Sequence, residues 1–206
     1  PNFMKIAPFI KAIDSYNIET SANIVQHILV HTGQHYDKRM SDSFFDELGI
    51  PYPDINLGVG SGSHAYQVGS TMIEFEKVLK EHKPDWVVVV GDVNATLACS
   101  VTAKKENIKC CHIEAGLRSG DMGMPEEINR IVTDRLCDLL LTPDKMSSNN
   151  LLLESVPKLK IKLVGNIMID TLEENRTRAE LLDVNSIIKD NLHKDFSIGK
   201  YYNNKV

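Results

Sequence analysis

Three acidic residues fall where one kind of chain segment gives way to another. Asp92 ends the apolar run DWVVVVGD, Glu114 ends IKCCHIE, and Glu126 stands directly behind Pro125 at the start of a helical stretch. Carboxylates gathered on one rim can have their pKa values pushed apart, so that one gives a proton while another takes one. The segment CHIEAGLRSGDMGMPEEINR, residues 111–130, adds Arg118, Asp121, Glu127 and Arg130 to two of the three. Each acid also has a plainer reading. Asp92 could cap a helix beginning near Asn94, and Glu114 could be a satisfied loop acid. Glu126 and Arg130, spaced i,i+4, could form a surface ion pair worth a few tenths of a kcal/mol. Gly116, just behind Glu114, implies a tight turn that exposes the acid.

Strands and helices must place these acids together. Apolar spacing predicts a helix over 2–15, a strand over 24–31, a helix over 36–48 that Gly49 stops, and a short strand over 54–57. A long helix lies within 61–82, followed by a strand over 85–92 whose unbroken valines suit a strand covered on both faces. A helix over 94–106, a strand over 108–114, a helix from Pro125, a strand over 137–143, a short helix over 146–154 and a strand over 160–166 follow, with one more helix behind them. Such alternation predicts an α/β fold with a doubly wound parallel sheet. Ligands of such sheets sit beyond the carboxyl ends of the strands, where Asp92 and Glu114 fall. Pro125 is favourable at a helix start, and acids there complement the helix dipole. The core signal fades after about Arg178, so residues 1–180 read as one domain and 181–206 as a linker or tail.

Composition excludes several classes of function. With 42% hydrophobic and 25% charged residues over 206 positions, the chain is in the ordinary globular range. A net charge of -5 gives no electrostatic case for nucleic acid or an anionic membrane. No apolar run approaches the roughly 20 residues that span a bilayer. The opening PNFMKIAPF has neither a signal-peptide core nor an initiator Met, which reads as a start inside a longer gene product. Cys99, Cys110, Cys111 and Cys137 form no CxxC pair, and are expected as reduced, buried thiols of a cytoplasmic protein. Without paired thiolates or HExxH, no zinc site is expected.

Other segments carry weaker signals. TGQHYD, residues 32–37, puts Gln34 and His35 at a strand end, where a single histidine more often serves structure. GVGSGSHA, residues 58–65, precedes a helix whose free N–H groups could meet an anion, but it lacks GK[ST] and the third glycine of the dinucleotide motif. It reads as a loop before it reads as a phosphate cradle. Met122 and Met124 read as packing residues.

The segments PNFMKIAPFIKAI, TGQHYD, KPDWVVVVGDVNATLA, HIEAGLRSGD, PEEINR and VGNIMIDTL, in that order over residues 1 to about 175, resemble the UDP-N-acetylglucosamine 2-epimerases. HIEAGLR followed by PEExNR is the specific part. The resemblance implies one Rossmann-like half of a glycosyltransferase-B-like two-domain fold, with the family's first strand upstream and its carboxyl-terminal domain beyond YYNNKV. It implies a non-hydrolysing epimerase that inverts C2 of UDP-N-acetylglucosamine to give UDP-N-acetylmannosamine, by elimination and re-addition of UDP. A hydrolysing relative releasing N-acetylmannosamine, a relative acting on a UDP-diacetamido sugar, and a UDP-sugar-binding fragment without turnover are the alternatives. Carried over by motif, Asp92, Glu114 and Glu126 are the essential acids. Lys5 and Arg118 are substrate-side cations, and Arg130 organises Glu126. Gln34 and His35 match a segment near a second UDP-sugar site in some bacterial members. The family implies a homodimer for the full-length protein and requires neither metal nor nicotinamide cofactor. The isolated chain is expected to be inactive, because the family's site lies between domains.

Overall fold

Apolar residues at helical spacing place Phe3–Glu19 in α1 of a computed structural model of the chain, with Ala7 and Ile10 buried against Phe3, Ile6 and Leu29. The structure describes residues 2–20, 25–33, 49 and 51–191. Pro8, inside α1, lacks the N–H that would bond the Met4 carbonyl one turn back. That carbonyl accepts instead from the hydroxyl of Thr171.

The strand expected over 24–31 is shorter than the apolar run. β1 is Val30–His31, paired in parallel with β2, Ile55–Asn56. The ladder stops there because the Leu29 N–H donates to the Asp54 carboxylate at 2.7 Å rather than to a neighbouring strand. The helix expected over 36–48 lies outside the described residues. The GVGSGSHA segment leads into α2, His64–His82, where the Ser63 hydroxyl accepts the Tyr66 N–H at 3.2 Å as an N-cap.

Four strands form a second, all-parallel sheet in the order β3-β4-β5-β6: Trp86–Val90, Lys109–Ile113, Leu139–Thr142 and Ile161–Leu163. The helices between them are α3, Asn94–Lys105, α4, Pro125–Leu136, and α5, Lys145–Leu153. This is the doubly wound α/β architecture the alternation predicts. The core joins Phe75 and Leu79 of α2, Val87 and Val89 of β3, Cys99 and Ala103 of α3, Cys110 of β4 and Leu140 of β5. Ala98, Ser100 and Ala103 are fully buried, and small side chains of this kind let α3 lie close to α2 and α4.

The valine run is not covered on both faces. Trp86 and Val88 remain 41% and 37% exposed, while Val87, Val89 and Val90 are buried. The reason is that α3 is the one helix in extensive contact with β3, which forms an edge of its sheet among the described residues. All four cysteines are buried free thiols, and burial pushes those of Cys99 and Cys111 up to about 12, so neither is a nucleophile near neutral pH.

The chain divides into two compact units, Pro1–Thr171 and Leu172–Val206. α6, Ile167–Glu180, begins in the first unit. α7, Val184–Asn191, belongs to the second, where the Asp183 carboxylate accepts the N–H groups of Asn185 and Ser186. Among the described residues no helix is long and apolar enough to cross a membrane.

Candidate functional site

β3 and β4 lie side by side with Val90 opposite Ile113, and the Gly91 N–H donates to the Ile113 carbonyl at 3.1 Å. Asp92 and Glu114 therefore leave the sheet at the same carboxyl end. Gly91 sits at φ 68, and a Cβ there would meet Asn2 Oδ1 at 2.8 Å and Lys5 Nζ at 3.3 Å. The positive φ favours glycine there, and a Cβ would displace the side-chain ends of Asn2 and Lys5. Asn2 Nδ2 donates to the Val90 carbonyl at 3.1 Å, and Lys5 forms an ion pair with the Glu114 carboxylate.

Glu114 itself adopts the left-handed conformation, at φ 73. A non-glycine residue held there costs of order 1 kcal/mol and persists where the surroundings over-determine it. Here its N–H and that of Ala115 both donate to the Leu141 carbonyl, at 3.1 and 3.0 Å. Gly116 follows at φ 81, where a Cβ would lie 2.3 Å from the Ser147 carbonyl oxygen. The tight turn implied by Gly116 is present, and the Glu114 side chain keeps an accessible edge.

α4 closes the site from the other side. Pro125 opens the helix, and Glu126 and Glu127 occupy its first turn. The two glutamates differ completely. Glu126 is half-buried and has no hydrogen-bond or ion-pair partner among the described residues. Glu127 is 2% exposed and accepts the N–H groups of Ser119 and Gly120 at about 3 Å, with Arg130 Nη1 at 3.0 Å. Burial opposes its ionisation, but these donors more than offset that and hold its carboxyl down at about 2. Arg130 extends its other nitrogen to Asp92. Arg130 thus organises Asp92 and Glu127 rather than Glu126, because the buried acid lies i,i+3 from it on the inward side of the helix. Asp92 caps no helix: the N-cap of α3 is Val93, without a side-chain bond.

Arg118, expected among the substrate-side cations, directs its guanidinium inward. Nη1 bonds Asp134 at 2.8 Å, and Nε and Nη2 clasp Glu154 at 2.7 Å each. Its fork is fully committed to holding the turn behind Glu114. Lys5 and Arg130 are the cations at the rim, both partly accessible beside their acids. Gln34 and His35 lie outside the described residues. Met122 and Met124 are exposed rather than packed, since both sit in the connection to α4 and its first cap.

Several contributors escape motif reading. Buried Asn129 donates to the Asp92 carbonyl at 2.8 Å and to Asn94 Oδ1 at 3.3 Å, while Asn94 donates to Gln67 at 2.7 Å. A cavity of about 200 Å³ adjoins Glu114, walled by Phe9, Leu141, Pro143 and Val164 with Asn166 and Asp170. No group of three acidic, histidine or cysteine side chains suited to a metal ion occurs among the described residues. The rim instead offers two carboxylates, each beside a cation, with an apolar recess next to Glu114 and Glu126 in the first turn of the helix that carries Arg130. That arrangement suits proton transfer on a ligand whose anionic part competes for Lys5 and Arg130.

A family model described as UDP-N-acetylglucosamine 2-epimerase matches residues 18–199. The chain is 46% identical over 180 residues to the UDP-N-acetylglucosamine 2-epimerase of Methanocaldococcus jannaschii, covering 87% of this chain and 47% of that protein. It is 43% identical over 173 residues to the UDP-2,3-diacetamido-2,3-dideoxy-D-glucuronate 2-epimerase of Pseudomonas aeruginosa, covering 83% and 47%. A crystal structure of the M. jannaschii enzyme in complex with UDP-GlcNAc and UDP superposes with a TM-score of 0.82 at 43% identity, covering 91% of this chain and 50% of that one. The chain spans about half the length of the curated relatives it matches. The sheet is one Rossmann-like half of a glycosyltransferase-B-like fold, as its structural neighbours are. By sequence over most of its length and by fold, the chain belongs to the UDP-N-acetylglucosamine 2-epimerase family.

Proposed function

We propose that the protein carrying this chain is a non-hydrolysing UDP-N-acetylglucosamine 2-epimerase. The observation that carries the reading is the pair of strand-end carboxylates, Asp92 and Glu114, each beside a cation, with Glu126 in the first turn of the helix that brings Arg130 to Asp92. Family membership and the ligands named for the M. jannaschii structure support it, and the NFMKIAPF opening supports the non-hydrolysing form.

The chemistry runs in two halves. A carboxylate takes the weakly acidic C2 proton as the C1–O bond breaks. The C2–H electrons form the double bond of a 2-acetamidoglucal, and the C1–O electrons leave with UDP. Bond breaking at C1 runs ahead, building positive charge that a carboxylate stabilises while cations hold the departing diphosphate. Protonation of C2 on the opposite face and return of the UDP oxygen to C1 complete the inversion, so acid–base groups are needed on both faces. Asp92 and Glu126 carry the proton and bond-breaking steps, and Glu114 assists. Lys5 and Arg130 meet the substrate, while Arg118 acts through Asp134 and Glu154 on the Glu114 turn. In this reading residues 1–180 form the amino-terminal domain, 181–206 lead away from it, and turnover belongs to the complete cytoplasmic homodimer. The 206 residues alone bind a UDP-sugar without turning it over.

Proton NMR of UDP-N-acetylglucosamine in D2O with the complete gene product tests this. UDP-N-acetylmannosamine carrying deuterium at C2 is the expected product. Free N-acetylmannosamine with UDP would assign the hydrolysing reaction. An unchanged spectrum would overturn the substrate, and the 43% identity to the P. aeruginosa enzyme then makes a UDP-diacetamido sugar the next one to supply.

A further inference from the structure

We propose that His112 is a positioning residue for the acids of the rim, acting through the two hydrogen bonds of its ring; the proposal rests on the reading of that rim given above. His112 lies on β4, fully buried, opposite Val89 on one side and Leu140 on the other. An apolar side chain would suit that place in the sheet, and burying an imidazole there costs free energy unless both nitrogens find partners. Both do. Nε2 lies 2.8 Å from the Gly91 carbonyl, and Nδ1 lies 2.6 Å from Asp134 Oδ1. A carbonyl oxygen only accepts, so Nε2 carries the hydrogen of that bond.

Each bond ends on a turn that carries an acid. The Gly91 carbonyl belongs to the peptide that joins Gly91 to Asp92, so holding it fixes the plane from which Asp92 departs. On the other side, Asp134 Oδ2 accepts the Gly116 N–H at 3.0 Å and Arg118 Nη1 at 2.8 Å. Gly116 closes the turn that begins at Glu114. One imidazole therefore ties the strand end bearing Asp92 to the strand end bearing Glu114, beneath the rim. Displacement of about 1 Å in such groups costs roughly 100-fold in rate, which makes a rigid tie of this kind matter to turnover.

Two amide variants separate the two bonds. Glutamine places its nitrogen where Nε2 stood, toward Gly91, and asparagine places its nitrogen where Nδ1 stood, toward Asp134. In the complete gene product, His112→Gln and His112→Asn each break one half of the tie and are each expected to lose roughly 10–100-fold in kcat with KM within about threefold. The two should unfold at similar temperatures, since each forfeits one bond. A kcat within about threefold of the unmodified value in either variant, or a defect confined to KM or to stability, would overturn the positioning role. Should neither variant fold, the unmodified protein decides through nitrogen-15 NMR of its histidine rings. A slowly exchanging His112 Nε2–H bonded to the Gly91 carbonyl supports the tie, and a ring without that hydrogen overturns it. That signal is readable whether or not the protein epimerises the sugar, so failure of the reaction assignment is distinguishable from failure of this one.

Discussion

At the end of β3 the acid is held by an arginine of α4, and at the end of β4 the acid is held by a lysine of α1. The two pairs differ in what else their cations do. Arg130 also serves Glu127, whose carboxylate gathers the Ser119–Gly120 turn. Asp92 is thereby linked to a buried network that includes Asn129 and Asn94. Among the described residues Lys5 pairs with Glu114 alone, and of the two acids Glu114 is the one in the left-handed conformation. One acid is held through a cation shared with a buried network, the other through a lysine and a left-handed turn pinned at the Leu141 carbonyl. Both arrangements keep a carboxylate in place, one through side chains and the other through its own backbone turn.

The difference can be broken first by activity. Asp92→Asn in the complete gene product is expected to reduce turnover by roughly 10²–10⁴-fold, and Glu114→Gln by about tenfold less, measured by the NMR assay. A larger loss at Glu114 would reverse the proposed division of labour. Stability sharpens the comparison next. Arg130→Met leaves Glu127 buried without its cation and should cost about 3 kcal/mol in urea unfolding. Lys5→Met breaks a more accessible pair and should cost about 1 kcal/mol or less, so equal midpoints for the two variants would refute the contrast. The smallest effect concerns pH. The Glu127 carboxyl lies near 2 when folded against 4.5 ordinarily, so the unfolded chain binds the proton first. Its contribution is fully present above pH 4.5 and is lost as pH falls towards 2. Stability in that window should therefore fall more steeply for the unmodified protein than for Glu127→Gln; parallel curves would remove Glu127 from the account.

The strand ends were legible because an apolar run that terminates in an acid has few other uses, and the alternation around them dictates parallel packing. The helix at Pro125 was legible in position but not in orientation. In α4 the polar residues Glu127, Asn129, Thr133 and Asp134 are buried, while Ile128 and Val132 are exposed. Apolar periodicity points such a helix the wrong way round, which is why Arg130 reads as the partner of Glu126 when Glu127 faces it. A helix that turns its polar side inward does so to satisfy groups on the sheet rim, and only the folded rim reveals them. His112 had one weak signal, a single ring among apolar neighbours in IKCCHIE. The strand over 24–31 was overestimated because side-chain capture of a backbone N–H, as Asp54 does to Leu29, leaves no periodic trace.

The hydroxyl of Thr171 that completes α1 at Met4 arrives 167 residues later in the chain. At ordinary rates of synthesis that interval is on the order of ten seconds. Throughout it, the helix that delivers Lys5 has a carbonyl which Pro8 cannot satisfy and which water must occupy. This helix is thus completed only by a residue made 167 positions later.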